Sequence, residues 1–253
     1  MKTLIAANWK MYKTAAEAKE TAALLVRSVG SVPEGREVLV FPPFTALESV
    51  ATILREAPGF KLGAQDVYPA EEGAFTGEIS PSMLAAAGCA WVLTGHSERR
   101  HLLGESDTFV GRKTAFALAA GLSVCLCIGE TLEEREAGTL EDVIDRQLAA
   151  GLRDLPDVTP EVLVTRLAVA YEPVWAIGTG KVAGPAEIME AHTLVRERLT
   201  ALLPAAGDSL AILYGGSVKP ENAGDIVRLD NVNGVLVGGA SLQADSFSRI
   251  VLA

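Results

Sequence analysis

The feature that most constrains the fold is a series of eight short apolar segments separated by stretches with helical character. Several of these segments are apolar at every position, a pattern typical of strands covered on both faces, as in a parallel sheet. The predicted strands are Thr3 to Ala7, Val38 to Phe41, Phe60 to Ala64, Trp91 to Thr94, Leu122 to Ile128, Leu167 to Tyr171, Ala211 to Tyr214 and Val235 to Val237.

The stretches between the strands predict amphipathic helices. From Ala15 to Val29, apolar residues such as Ala22 and Leu25 lie opposite lysines and glutamates. Another helix is predicted from Pro185 to about Leu203. Because strands and helices alternate without a linker or a low-complexity tract, we expect one α/β domain over residues 1–253, a (β/α)8 barrel. An open doubly wound sheet is the structural alternative.

Charge and hydropathy narrow the functional classes. With 22 Lys and Arg against 32 Asp and Glu, the net charge is -10, whereas a nucleic-acid-binding face needs concentrated basic residues. No apolar run approaches the ~18 residues of a membrane span, and the first residues do not have the pattern of a signal peptide. We therefore expect a cytoplasmic protein without a nucleic-acid or membrane partner. If the substrate is an anion, positive potential must be supplied locally.

The three cysteines, Cys89, Cys125 and Cys127, lie within apolar stretches. Their spacing is neither that of a zinc site nor that of a disulfide framework. We interpret them as buried, reduced thiols and expect no metal site.

Polar residues and glycines follow several of the predicted strands. In a (β/α)8 barrel the active site lies at the carboxyl ends of the strands, so these residues are the candidates for chemistry. They are Asn8 and Lys10 after the first strand, residues 95–98 after the fourth, Glu172 and Pro173 after the sixth, residues 215–217 after the seventh, and Gly238 and Gly239 after the eighth.

Glu172 and His96 are the candidates for proton transfer. Glu172 follows a fully apolar strand, so its carboxylate is expected at the rim of a low-dielectric pocket, which suits a general base. A glutamate that faces water is the alternative. Ser97 begins a predicted short helix through Arg100, whose positive end disfavours a charged imidazolium and leaves His96 able to donate a hydrogen bond to a substrate carbonyl. A structural core histidine is the alternative.

Lys10 is the candidate for the local positive charge. Taken alone it could be a solvated surface lysine, and Asn8 could simply stabilise the turn after its strand. Glu98 and Arg99 are interpreted as one structural ion pair that supports this corner of the barrel.

Glycine-rich segments after three strands predict a lid and an anion site. Residues 176–181 contain two glycines and follow a stiff Pro-Val-Trp entry, which is typical of a mobile lid. Residues 215–217 and 238–239 are predicted to present backbone N–H groups to an anion. Because barrels commonly bind phosphate after strands seven and eight, we expect a small phosphorylated substrate.

Several segments carry a resemblance to a known family. They are residues 8–11 (NWKM), 73–78 (GAFTGE), 95–100 (GHSERR), 127–131 (CIGET), 170–180 (AYEPVWAIGTG), 214–218 (YGGSV) and 236–242 (LVGGASL). Together they closely resemble the triosephosphate isomerase family over essentially the whole chain, the segment 170–180 being the most specific. Leu103 and Asn233 depart from the family pattern, where phenylalanine and aspartate are common.

The resemblance implies an isomerase that interconverts dihydroxyacetone phosphate and glyceraldehyde 3-phosphate, without a metal or organic cofactor, in central carbon metabolism. It also implies a homodimer, with Phe75 and Thr76 in a loop that contacts the partner. Catalysis is expected from Glu172 as the base, neutral His96 as the electrophile and Lys10 as the balancing charge. The implied substrate-binding residues are Asn8, Lys10, Gly178, Ser217, Gly238 and Gly239.

Two other functional classes fit parts of the pattern. A lysine-dependent aldolase could use Lys10 to form a Schiff base near a phosphate site. A binding or scaffold protein could retain the fold without activity, since fold does not determine function.

Overall fold

A computed structural model describes residues 2–177 and 182–253, and within them eight parallel strands close into a barrel in chain order. Each strand pairs with the next, and β8 pairs with β1. The strands are β1 (Thr3–Asn8), β2 (Arg36–Phe41), β3 (Phe60–Ala64), β4 (Trp91–Thr94), β5 (Ser123–Ile128), β6 (Leu167–Tyr171), β7 (Ala211–Tyr214) and β8 (Gly234–Val237). The predicted (β/α)8 barrel is confirmed and the open sheet is excluded.

Helical structure follows every strand. The α-helices are α1 (Ala15–Val29), α2 (Leu47–Leu54), α3 (Pro81–Ala86), α4 (Ser97–His101), α5 (Asp107–Ala119), α6 (Leu132–Glu136), α7 (Leu140–Leu152), α8 (Pro160–Arg166), α9 (Pro185–Leu202), α10 (Ala223–Ile226) and α11 (Ala244–Leu252). Short 3₁₀ turns lie at Phe44–Ala46, Val174–Ala176, Gly207–Ser209 and Gly239–Leu242. Among the described helices, none combines the length and apolar character that a membrane crossing requires.

Local sequence explains where α1 begins and which face it buries. The side chain of Thr14 accepts a hydrogen bond from the amide of Glu17, and the Glu17 carboxylate accepts one from the amide of Thr14. This reciprocal cap satisfies amides that have no partner within the helix. Ala22 and Leu25 are buried, as the spacing of apolar residues predicted. Gly30, with φ of +68°, ends the helix.

Two apolar layers explain why the strands are apolar at every position. Inside the barrel, side chains such as Leu39, Phe41 and Leu93 form one buried cluster. On the other face of the strands, side chains such as Val40 and Val92 pack in a second cluster that includes residues of the surrounding helices. Each fully buried aliphatic side chain contributes about 2 kcal/mol to folding. The three cysteine thiols are free and buried, in agreement with their interpretation as buried, reduced thiols.

The two departures from the family pattern lie away from the polar groups at the carboxyl ends of the strands. The side-chain oxygen of Asn233 accepts hydrogen bonds from Arg196 Nη2 at 2.9 Å and from the amide of Ile212 at 3.0 Å. An amide oxygen therefore serves both donors at this position. Leu103 is largely exposed.

Candidate active site

The carboxyl ends of the strands surround a cavity of about 300 Å³. Most of the predicted site residues contribute to its lining, since they follow strands that end at the same rim. Those that line it are Asn8, Lys10, His96, Glu172, Ser217, Gly238 and Gly239. Gly178, the remaining predicted ligand, and residues 179–181 of the predicted lid lie outside the described residues. Ala176 and Ile177, which precede them, also line the cavity.

Glu172 is a buried carboxylate held at both oxygens. It directly follows β6, and its side chain is 3% exposed. Oε2 accepts a hydrogen bond from the amide of Ser97 at 2.9 Å, and Oε1 lies 3.0 Å from Nε2 of His96. The alternative of a glutamate facing water is therefore excluded.

His96 precedes α4 and acts as its N-cap. Its Nδ1 accepts a hydrogen bond from the amide of Glu98 at 3.3 Å. A ring nitrogen that accepts carries no proton, so the proton of the neutral imidazole lies on Nε2, the nitrogen that faces Glu172. The predicted short helix after His96 is confirmed, and it fixes the tautomer as well as the direction of the ring.

Charge interactions within this pair oppose the effect of burial. Burial favours neutral Glu172, yet the imidazole of His96 and the amide of Ser97 outweigh it, and the pKa of Glu172 is lowered. For His96, burial favours the neutral ring, but the facing carboxylate outweighs it and the pKa of His96 is raised. The hydrogen bond from the Glu98 amide favours the neutral ring, because Nδ1 can accept it only when the ring is neutral. A substrate placed between the two groups would separate Glu172 from His96. The carboxylate would then no longer raise the pKa of the ring.

Lys10 also lines the cavity and is held through its main chain. It adopts φ of +50°, and its amide donates to Asn8 Oδ1 at 2.9 Å. Its carbonyl accepts from Gln65 Nε2 at 2.8 Å, and the same nitrogen donates to the carbonyl of Phe41. The ammonium group reaches Glu98 Oε1 at 2.7 Å. Asn8 thus stabilises the turn after its strand, which was the structural alternative for this residue. It also lines the cavity.

The interpretation of Glu98 and Arg99 as one ion pair is wrong. Glu98 pairs with Lys10, whereas Arg99 pairs with Asp66 at 2.9 Å and with Glu105 at 2.7 Å. Consecutive residues at the start of a helix project about 100° apart, so the two side chains point to different neighbours. Glu98 therefore pairs with a lysine that lines the cavity, whereas Arg99 pairs with the buried carboxylates of Asp66 and Glu105.

The glycines after β7, Gly215 and Gly216, leave no room for a side chain. The amide of Gly215 donates to the carbonyl of Tyr171 at 2.7 Å, so the prediction that it presents a bare N–H to an anion is wrong. A Cβ on Gly215 would lie 2.8 Å from Cγ of Glu172, and one on Gly216 would lie 2.1 Å from the Tyr214 hydroxyl oxygen. These glycines permit close packing around the carboxylate of Glu172.

The segment after β8 brings backbone close to Lys10. A 3₁₀ turn begins at Gly239, and the carbonyl of Gly238 accepts hydrogen bonds from the amide and hydroxyl of Ser241. A Cβ on Gly238 would lie 3.4 Å from Cε of Lys10. The start of this turn, which carries a partial positive charge, and the ammonium group therefore border the same end of the cavity.

Arg100 and Gln147 bond to backbone at the ends of β4 and β5, although the residue pattern did not single them out as candidates. Arg100 donates from Nε to the carbonyl of Gly95 at 2.7 Å and from Nη2 to that of Cys127 at 3.1 Å. Gln147 bonds to the backbone of Gly129. For Gln147, the sequence signal was a polar residue at a position where its neighbours on the same helix face are apolar.

Glu130 supports the residues on either side of Glu172. It is fully buried, and its Oε1 accepts from the Tyr171 hydroxyl at 3.0 Å and from Trp175 Nε1 at 2.7 Å. Burial raises the pKa of Glu130 despite these bonds. Glu130 lies in one of the segments that resemble the family, but the sequence did not indicate its bonds to Tyr171 and Trp175.

His192 on α9 is a buried, neutral histidine. Its ring contacts Tyr171 edge-on at 5.8 Å, and Nδ1 donates to the carbonyl of Asn231 at 3.0 Å. Burial lowers the pKa of His192 to about 4.

Comparison with known proteins agrees with this geometry. The family model described as triosephosphate isomerase matches residues 3–253. The triosephosphate isomerases of Nitratidesulfovibrio vulgaris strain Miyazaki F and Oleidesulfovibrio alaskensis are 65% and 66% identical, each aligned over 100% of both chains. That of Lawsonia intracellularis is 51% identical over 100% of this chain and 98% of its own. This chain belongs to the triosephosphate isomerase family.

Proposed function

We propose that Glu172 and His96 perform the proton transfers by which this isomerase interconverts dihydroxyacetone phosphate and D-glyceraldehyde 3-phosphate. Glu172 removes a proton from the carbon beside the carbonyl, and His96 donates to the carbonyl oxygen and moves a proton between the two oxygens. The observation that carries this assignment is the 3.0 Å approach of Glu172 Oε1 to the proton-bearing Nε2 of His96. The division of roles itself is the known mechanism of the family.

The geometry allows one substrate to reach both groups. Substrate between the two side chains would replace the carboxylate contact of His96 with its own carbonyl oxygen. Removing that contact leaves burial and the Glu98 amide, both of which favour the neutral ring. A neutral imidazole can donate its Nε2 proton to an enediolate oxygen and recover one from the neighbouring oxygen. Acid–base chemistry of this kind requires no metal or organic cofactor.

Positive potential for the anionic substrate is proposed to come from a few local groups. The ammonium group of Lys10 interacts electrostatically with both Glu172 and His96, and its side chain lies against Gly238. We assign phosphate binding to the backbone at Ser217, Gly238 and Gly239, with Gly178 as a further ligand from outside the described residues. Oriented amides and one lysine can create an anion site on a protein of net charge -10. Asn8 is assigned to placing the substrate oxygens.

The proposal is tested by Glu172→Gln in a coupled isomerase assay in both directions. The variant retains the shape of the side chain but removes the base, so turnover should fall by at least ~10²-fold. Glu56→Gln, at an exposed position after α2, is the control and should retain activity. Near-normal turnover of a folded Glu172→Gln variant would refute the assignment.

The same assay, carried out after treatment with borohydride in the presence of substrate, distinguishes an isomerase from a lysine-dependent aldolase. An aldolase would be inactivated by borohydride in the presence of substrate, through reduction of a Schiff base on Lys10. We expect no such inactivation, since the ammonium group of Lys10 is paired with Glu98 at 2.7 Å. Inactivation that disappears in Lys10→Met would replace our assignment.

We also propose that the chain forms a homodimer and works in the cytoplasm, where glycolysis and gluconeogenesis use this reaction. Phe75 is 42% exposed, and its ring contacts that of Tyr68 in a tilted arrangement with centroids 4.4 Å apart. Met11 and Leu103 are exposed as well. Covering such apolar side chains favours association. Thr76→Arg should place an unpaired charge in the contact and shift sedimentation toward the monomer at low concentration. An unchanged dimer would locate the interface elsewhere.

A further inference from the structure

Gln147 is a buried amide in an apolar helix face. It lies on α7, is 2% exposed, and has buried apolar residues such as Val143, Ile144 and Leu148 around it on the helix. A buried amide loses its hydration and must regain hydrogen bonds within the protein. A residue with this cost requires a structural or functional explanation.

Both polar atoms of Gln147 bond to a single residue, Gly129. The amide of Gly129 donates to Gln147 Oε1 at 2.8 Å, and Gln147 Nε2 donates to the carbonyl of Gly129 at 3.2 Å. The side-chain amide thus presents one acceptor and one donor, as a neighbouring strand backbone would. Two bonds to one residue restrict the rotation of the peptides on either side of it.

Gly129 follows β5 at a point beyond the end of its pairing with β4. The residues on either side of it bond toward β6, through the amide of Glu172 to the carbonyl of Ile128 at 2.7 Å and the amide of Val174 to that of Glu130 at 3.1 Å. In a parallel ladder the intervening residue directs its N–H and C=O the other way. On that side β4 ends at Thr94, paired with Leu126, so Gln147 takes the place of the missing strand.

Gly129 also touches the main chain of the base. It adopts φ of +155°, and a Cβ built on it would lie 1.8 Å from the carbonyl oxygen of Glu172. Because the two backbones are this close, Gly129 cannot rotate without displacing the main chain of Glu172.

We propose that Gln147 is a positioning residue for Glu172, acting from α7 through the backbone of Gly129. The inference rests on the proposed role of Glu172 as the base. Gln147 does not line the cavity, so it has no direct contact with substrate. Its effect should appear in the proton-transfer step, because small displacements of a reacting group lower the rate strongly.

The test compares Gln147→Met with Val143→Ala. Methionine retains the length and volume of the side chain but removes both bonds to Gly129. Val143→Ala creates a buried cavity one helical turn away without touching Gly129, and so controls for loss of stability. Each variant is assayed for kcat, KM, thermal unfolding, and the kinetic isotope effect with substrate deuterated at the carbon that loses its proton.

For Gln147→Met we expect kcat to fall by about 10- to 100-fold with KM near the wild-type value, because the phosphate-binding segments are not altered. The isotope effect on kcat should rise, since proton abstraction becomes slower relative to product release. Val143→Ala should unfold at a lower temperature but retain the kcat and isotope effect of the wild type. An unchanged kcat in folded Gln147→Met, or an equal loss in Val143→Ala, would overturn the proposal.

A second variant keeps the proposal testable if Gln147→Met does not fold. Gln147→Glu retains an acceptor for the amide of Gly129 but, when ionised in mildly alkaline buffer, opposes the carbonyl of Gly129 with an oxygen that has no proton. Its kcat should be lower than that of the wild type, with a raised isotope effect, and wild-type values would overturn the proposal.

Glu172→Gln in the same experiment distinguishes the two levels of inference. If Glu172→Gln is active, the proposed base is wrong. If Glu172→Gln is inactive and both Gln147 variants have wild-type kinetics, only the positioning role is wrong.

Discussion

The glutamate side and the lysine side of the cavity are built differently. Glu172 is 3% exposed, and its backbone is packed against Gly129. Lys10 is 22% exposed at its side chain and pairs with Glu98, which is 44% exposed. The proposed base is thus fixed by close packing in the interior, whereas the proposed charge-balancing lysine is placed by hydrogen bonds to its main chain and by one ion pair.

The difference corresponds to two physical requirements. A general base must meet one particular C–H bond, and its position tolerates little error. A positive charge acts through distance, and a partly exposed ammonium group can follow its anion over a short range. Substitutions on the glutamate side should therefore affect folding and the chemical step, and substitutions on the lysine side mainly the electrostatics.

The largest effect is expected from Gly129→Ala, which adds a methyl group where the carbonyl oxygen of Glu172 would be 1.8 Å away. Overpacking together with backbone strain should lower the free energy of unfolding by about 4 kcal/mol. Gly138→Ala is the matched control, because Gly138 also has a positive φ, of +71°, but open space around it. It should cost only about 1 kcal/mol. Equal losses in urea unfolding would contradict the close packing on the glutamate side.

Lys10→Met should lower kcat/KM by about 10²- to 10³-fold, or about 3 kcal/mol, because charge on the intermediate and the phosphate loses its partner. Steady-state kinetics at increasing salt concentration give a second readout. Screening should weaken substrate binding in the wild type more than in Lys10→Met, since the ammonium group is partly exposed. Lys61→Met, at an exposed position in β3, is the control. Stability comparable to that of the wild type is expected in both variants.

Acid should destabilise the glutamate side through His192, whose pKa is lowered to about 4 by burial. The unfolded chain binds a proton below its ordinary pKa of about 6.5, whereas the folded chain does not until about 4, so stability falls as the pH decreases between these values. Between about pH 7 and about pH 5, this histidine should lower the free energy of unfolding by about 2 kcal/mol.

His192→Asn provides the comparison for this acid effect. Asparagine retains an N–H donor for the carbonyl of Asn231 but does not titrate. Urea unfolding of both proteins at the two pH values should show the smaller loss in the variant. Identical losses would show that other groups cause the acid sensitivity.

The smallest effect is expected from Glu98→Gln. The variant removes the ion pair with Lys10, and a pair this exposed is worth about 1 kcal/mol or less. The main chain of Lys10 remains bonded to Asn8 and Gln65, so kcat/KM should fall less than tenfold. A loss as large as that of Lys10→Met would mean that the ion pair, and not the main chain, places the lysine.

Much of the architecture was predictable because the pattern is local. The strands Phe60–Ala64, Trp91–Thr94, Leu167–Tyr171 and Ala211–Tyr214 have the predicted bounds. β2 begins earlier, at Arg36, because pairing with β1 extends into a segment without strand-like apolarity. The positions of the candidate site residues at the strand ends follow from the barrel rule. Their catalytic and binding roles stay predictions until they are tested by substitution.

By itself, the sequence determined the alternation of strands and helices and the order in which polar residues reach the rim, since both depend on local periodicity. Only the tertiary structure decided the partners: Glu98 with Lys10 rather than Arg99, the amide of Gly215 with Tyr171, and Gln147 with Gly129. Hydrogen bonds and ion pairs act over about 3 Å, and residues far apart in the chain reach that distance only after the barrel closes. A lone glutamine in a helix therefore gives no indication of its partner until the strand beside it has formed.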